Sequence, residues 1–124
     1  MAWENHDAII TVPATTGLAA FRFVKIDSAG KAAYPAAGIA PIGVSLVSTT
    51  GSTRDVAIPV QIVGVAKVSA PGSTVAKGDI VSASSVGRAR ALSAGDYAVG
   101  YVVDGSSGST GRILSVLLQN IGTT

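Results

Sequence analysis

The chain has 124 residues, a net charge of +2 and no cysteine; hydrophobic residues make up 48%, but only 5% are aromatic and 13% charged. This length fits a single domain that can bury a core without metal or disulfide. The missing thiols exclude disulfides, thiol catalysis and thiolate zinc sites. The start, Met1 to Asp7, lacks the basic-then-apolar layout of a secretory signal, and no apolar run approaches the roughly 20 residues of a membrane helix. The nine Lys and Arg are scattered, which argues against a nucleic-acid partner. A soluble protein made in a cytoplasm, with neither membrane nor nucleic acid as partner, is the expectation. Its apolar content is mainly Ala, Val and Ile, so each side chain buries little area and burial against neighbouring subunits would add stability.

In chain order, residues 1–20 read as an N-terminal arm with a first strand, and 21–124 as a single β domain. Ile9, Ile10 and Val12 fit one strand and 13–18 a loop. The period-2 and β-branched pattern then predicts short strands at 23–26, 31–34 and 41–47, a polar loop at 48–54 and a longer strand at 55–63. In that strand Val56, Ile58, Val60 and Ile62 alternate with Ala57, Pro59 and Gln61, and the proline suggests an edge or a bulge. Residues 64–75 read as a strand with a Pro71-Gly72 turn. Strands at 80–83, 88–92, 97–103 and 112–119 follow, the last apolar enough to be covered on both faces. No window keeps a 3.6-residue period, so helix should be minor.

The chain also matches itself. Slid along itself until position 23 meets position 80, the segment 23–53 aligns with 80–110 without a gap. Gly30, Gly38, Gly43 and Gly51 fall on Gly87, Gly95, Gly100 and Gly108, while Val24 falls on Val81 and Lys31 on Arg88. Shared glycines in one register imply shared turns or close backbone approaches. The expected architecture is all-β: a small barrel or sandwich, β-tulip-like, built from two similar β units, with an extended N-terminal arm.

The chemistry-bearing residues are few. His6 is the only histidine, and Glu4, His6 and Asp7 carry no recognised metal spacing. Ser28-Ala29-Gly30-Lys31 spells the S-x-x-K nucleophile motif, but that chemistry needs a helix start. Here a glycine interrupts a strand–turn–strand pattern, and the repeat replaces Lys31 with Arg88, which cannot accept a proton. Lys67 and Lys77 lie in a stretch similar to barrel-sandwich carrier domains, without the hairpin-tip lysine those domains modify. No catalytic residue, metal site or cofactor is expected. The candidate contact residues are Trp3, an aromatic able to bury a large area on a partner, with Ile9 and Ile10 on the arm. Arg88 and Arg90, which alternate on one strand and so share a face, complete the candidate contacts, as cations able to meet a partner's carboxylates.

With the repeat placed, the order of motifs resembles the capsid cement, or decoration, family of tailed phages. The resemblance runs over about residues 20–119, through Ser-Ala-Gly-Lys, Pro41-Ile42-Gly43-Val44, Gly64-Val65-Ala66, Lys77-Gly78-Asp79-Ile80-Val81, Gly87-Arg88-Ala89, Val99-Gly100-Tyr101-Val102 and a closing Val-Leu-Leu strand. It implies a virion protein on the outer capsid surface, made in the bacterial host cytoplasm. Its partner would be the major capsid protein, its state a homotrimer, and its role to strengthen the shell. The alternatives are a barrel-sandwich carrier or binding module, or another phage structural component such as a tail or head-fibre protein.

Overall fold

The computed structural model describes residues 4–51, 54–70, 75–105 and 112–123. Nine strands follow one another: β1 (Asn5–Ala14), β2 (Phe23–Ile26), β3 (Ala32–Ala33), β4 (Gly43–Ser45), β5 (Val56–Ser69), β6 (Ile80–Ala83), β7 (Ala89–Ala91), β8 (Tyr97–Asp104) and β9 (Ile113–Thr123). Among the described residues there is no helix. All ladders are antiparallel, in the order β3-β2-β4-β5-β9-β8-β6-β7, with β1 paired to β5. The expected small barrel or sandwich takes the form of one sheet curled into a half-barrel.

Two turns show how local sequence sets this path. Asp27 Oδ1 accepts from the amides of Ala29 and Lys31, and Gly30 N donates to Asp27 O at 2.9 Å. At the second turn Ser84 Oγ accepts from Arg88 N, and Gly87 N donates to Ser84 O at 3.0 Å. Asp and Ser suit the first position of such a turn because their side chains satisfy amides a few positions on. The anchors are therefore Asp27 and Ser84, each just before the serine of the repeated motif.

Several ladder pairs recur at the spacing of the sequence match. Val24↔Gly43, Lys25↔Ala33 and Ile26↔Ala32 correspond to Val81↔Gly100, Ser82↔Arg90 and Ala83↔Ala89. Outside that stretch the offset is shorter by one position: Ile10↔Val60, Thr11↔Pro59 and Val12↔Ile58 correspond to Ala66↔Val116, Lys67↔Ser115 and Val68↔Leu114. Burial follows the ladders. One cluster holds Val12, Ala14, Leu18, Val24, Ala32, Ile58 and Val60. The other holds Val68, Ala70, Val75, Val81, Ala89, Leu114 and Val116, together with Phe23 and Val44 from the first half. The long strand β5 gives its first part to one cluster and its second part to the other.

β5 departs from expectation in three ways. It continues through Gly64 to Ser69, so 56–69 is one strand. Pro59 is not on an edge: it faces Thr11 of β1, and its carbonyl accepts from Leu46 N on the other side. β4 ends at Ser45, so the neighbouring chain there uses only that carbonyl, and the missing N–H is tolerated. Gln61, on the face expected to be polar, is fully buried, because its Nε2 donates to the carbonyls of Val63 and Val65 at 3.1 Å. In β9, Leu114, Ser115 and Val116 are consecutive and buried, so both faces are covered there.

Phe21 has φ 61°, and Gly78, its counterpart when the repeat register is extended upstream, has φ +86°. Each donates its amide across the sheet, to Ser45 O and Val102 O, at 2.8 Å. The position needs left-handed backbone, which glycine adopts freely and phenylalanine does not. Gly78→Ala meets no atom but takes on the strain, so a loss of about 1 kcal/mol is expected in urea unfolding.

Candidate functional site

The curl of the sheet leaves an open apolar groove of about 600 Å³ between the two clusters. Its walls include Ile10 of β1, Ile26 of β2, Pro41 and Ile42 before β4, Val63 of β5 and Leu118 of β9, and no lining side chain is ionisable. Ile10, Ile26 and Val63 are 37%, 45% and 47% exposed, and Ile39 nearby in sequence is 53% exposed. Covering one such half-exposed side chain is worth about 1 kcal/mol. The groove offers no nucleophile and no proton carrier; it can receive apolar protein surface.

The sequence candidates divide. Trp3 lies outside the described residues. Ile9 and Ile10 sit on β1, which pairs with β5 along its length; Ile10 lines the groove, and Ile9, at 45% exposure, is its neighbour on the strand. Arg88 and Arg90 flank the buried Ala89 at β7, the far end of the sheet order, so the structure does not join them to the isoleucines.

Arg90 is tied into its own domain. Its Nη2 donates to both carboxylate oxygens of Asp96, at 2.7 and 2.8 Å, and its Nε to Ser82 Oγ at 3.2 Å. Ser82 Oγ and Ser93 N also donate to Asp96, at 2.9 and 3.0 Å. This network pins the loop before β8 onto the β6–β7 hairpin. Sequence reasoning missed Asp96; the signal was a lone acid after the shared glycine, at the position Ile39 holds in the first half.

The hydrogen bond from Arg90, with those from Ser93 and Ser82, holds the Asp96 carboxyl below its ordinary value of 3.8, while burial acts in the opposite direction. A depressed folded value means that the stabilisation is present above the unfolded value and is lost as pH falls through the folded one. Asp96→Asn is therefore expected to be less stable than the parent at neutral pH, with the gap closing below about pH 4. Urea midpoints measured across that range check this; a gap that stays constant would contradict it.

Lys67 is held mid-strand opposite Ser115, 4.0 Å from Glu4 and 6.0 Å from the Phe21 ring centroid. Lys77 sits at a turn, 3.4 Å from Asp104. Neither stands at the tip of a β-hairpin of the carrier type.

No curated protein matches the chain. Among solved structures, the N base of head fibre gp8.5 of bacteriophage phi29 shares the fold, with a TM-score of 0.76 at 16% identity, covering 94% of this chain and 98% of that one. At that identity the likeness concerns the fold alone. The sequence match to a family is broader than the motifs had indicated, because it begins in the N-terminal segment. A model of phage cement proteins matches residues 3–117, and the chain belongs to that family.

Proposed function

We propose that this protein is a capsid decoration protein: it binds the outer surface of a phage capsid, contacts the major capsid protein and stabilises the shell without catalysing a reaction. The observation that carries this reading is the family match over residues 3–117. The neutral apolar groove supports it, since such a surface suits protein contact and not turnover. In this reading the protein is made in the bacterial host cytoplasm, acts as a homotrimer, and consists of two similar β units. A symmetric trimer binds a repeating lattice multivalently, so modest single contacts yield tight attachment and offset the entropy of immobilisation.

Purified protein added to undecorated mature capsids is expected to bind saturably and to raise the temperature of shell disruption. Absence of binding to any lattice state would overturn the reading. A second reading, the base of a head fibre, is favoured by the fold match to the phi29 protein. Particle imaging separates the two, because a fibre base carries a projecting element and a cement protein does not.

Trp3, Ile9, Ile10 and Arg88 are the proposed contact residues. Val12 and Ala14 of β1 are buried, so removing residues 1–12 would strip a strand from β5 and test folding instead. Truncating residues 1–3, or Ile9→Asp, is expected to weaken capsid binding about tenfold or more while leaving unfolding near the parent value. Unchanged affinity in both would remove the N-terminal segment from the contact.

A further inference from the structure

Away from the shared strand β5, the two halves meet through unlike faces. From the first half, Phe23 N donates to Gly87 O at 2.6 Å, Arg22 Nη1 to Val86 O at 2.9 Å, and Gly38 N to Ala83 O at 2.9 Å. Tyr97 N returns a bond to Gly38 O at 2.9 Å. The presenting face is thus Arg22, Phe23 and Gly38, and the receiving face is Ala83, Gly87 and the β6–β7 turn. Phe23, Gly38, Ala83 and Gly87 are all buried.

Their counterparts in the repeat register show the same two faces without a partner. Asp79, Ile80 and Gly95 correspond to Arg22, Phe23 and Gly38; Asp79 and Gly95 are exposed and Ile80 is half-buried. Ile26, Ala29 and Gly30 correspond to Ala83, Val86 and Gly87, and all three are exposed. Crowding agrees with burial. A side chain on Gly87 or Gly38 would run into the other half, whereas one on Gly30 or Gly95 would meet nothing within 4 Å. The exchanges in residue type point the same way. The open receiving face carries Ile26 and Ile39 where the covered one has Ala83 and Asp96, and Tyr101, 37% exposed, stands where Val44 is buried. Apolar side chains in place of a buried acid on an exposed surface favour a covered surface. Asp79 would land beside the turn carrying Lys31, which pairs with Asp55 at 3.0 Å, as Arg22 lies beside the turn carrying Arg88.

We propose that copies of this chain associate head to tail through these faces. Asp79, Ile80, Gly95 and Tyr101 of one copy dock on Ile26, Gly30 and Ile39 of the next, continuing the contact that already joins the two halves. Such a heterologous contact closes into a ring when its rotation divides the circle, and three copies would set six similar units in that ring. The inference rests on the two-unit, trimeric reading above and identifies the surface through which it is built.

The test measures the mass of the full chain in solution for the parent, for Ile26→Asp on the receiving face, and for Gly95→Trp on the presenting face. Both substitutions lie on exposed positions, and unfolding midpoints confirm that each variant folds. The parent is expected to be a closed oligomer and each variant alone a monomer. Mixing the two variants restores one intact contact, so the mixture is expected to form dimers and nothing larger. Because the chain has no cysteine, Ile26→Cys combined with Tyr101→Cys gives an independent reading: covalent oligomers on oxidation. A monomeric parent, a variant that stays oligomeric, or a mixture that stays monomeric overturns the inference. Capsid titration in parallel keeps the two proposals apart. A monomer that binds capsids removes the interface and leaves the cement reading; oligomers built through these faces that bind no capsid do the reverse.

Discussion

Phe23→Ala is expected to destabilise the protein by about 3–5 kcal/mol, the range for deleting a buried aromatic ring. Phe23 is the largest fully buried side chain among the described residues, and although it belongs to β2 it lies in the cluster of the second half. Its removal leaves a cavity where one half packs on the other. A domain of this size has about 5–15 kcal/mol in total, so the variant should unfold at a much lower urea concentration. Ile80, its counterpart in the second half, is only half-buried, and Ile80→Ala should cost less than half as much. Since Phe23 joins the clusters, the parent should unfold in one transition, and a broadened or split transition is expected only in the Phe23 variant. Two separate transitions in the parent, or equal losses in the two variants, would contradict the placement.

The second large effect is expected at the shared strand glycines. An added Cβ at Gly43 would collide with the carbonyl oxygen of Gln61, and one at Gly100 with that of Leu117. The same Cβ atoms would also press on the Val60 and Val116 side chains, both fully buried, so backbone and core are crowded at once. Overpacking of this kind costs about 1–3 kcal/mol or more when main chain must move. Gly43→Ala and Gly100→Ala should therefore each lower the urea midpoint by an amount far above that of Gly30→Ala, which meets only open space and bears the backbone strain alone. Equal losses at the three positions would show that backbone freedom, and not proximity, explains the repeated glycine.

These residues mark how far the sequence can be read. The strands at 23–26 and 80–83 are legible to the residue, because β-branched runs bounded by Asp/Ser-x-x-Gly turns carry local signals. The half-buried alternation of β5 is legible only at Ile58, Pro59 and Val60; Val56 is exposed and Gln61 is buried. The extension of β5 through Gly64 is not legible, since a glycine between apolar residues reads as a break, and only the ladders to β1 on one side and β9 on the other show it to be continuous. Gln61 reads as a surface residue because a polar side chain in an alternating strand normally faces water. Its burial depends on two carbonyls that the folded strand turns toward it.

Of the candidate contacts, Ile9 and Ile10 are legible as apolar residues in a polar segment. That Ile10 opens onto a groove is not, because the groove is bounded by separate stretches of chain that meet only when the sheet curls. Arg90 reads as a free cation for the same reason: Asp96 is close in sequence, but the hairpin and loop that bring the two together are set by tertiary packing.

By itself, then, the sequence determined the all-β class, the turns after β2 and β6 and the kinship with phage cement proteins, since all of these are written in local pattern and in residue order. Tertiary structure alone decided that the sheet remains a half-barrel, that Arg22, Phe23 and Gly38 rest on the β6–β7 hairpin, and that an apolar face is left open. Those are matters of which surfaces meet, and contact between residues far apart in the chain leaves no periodic trace along it.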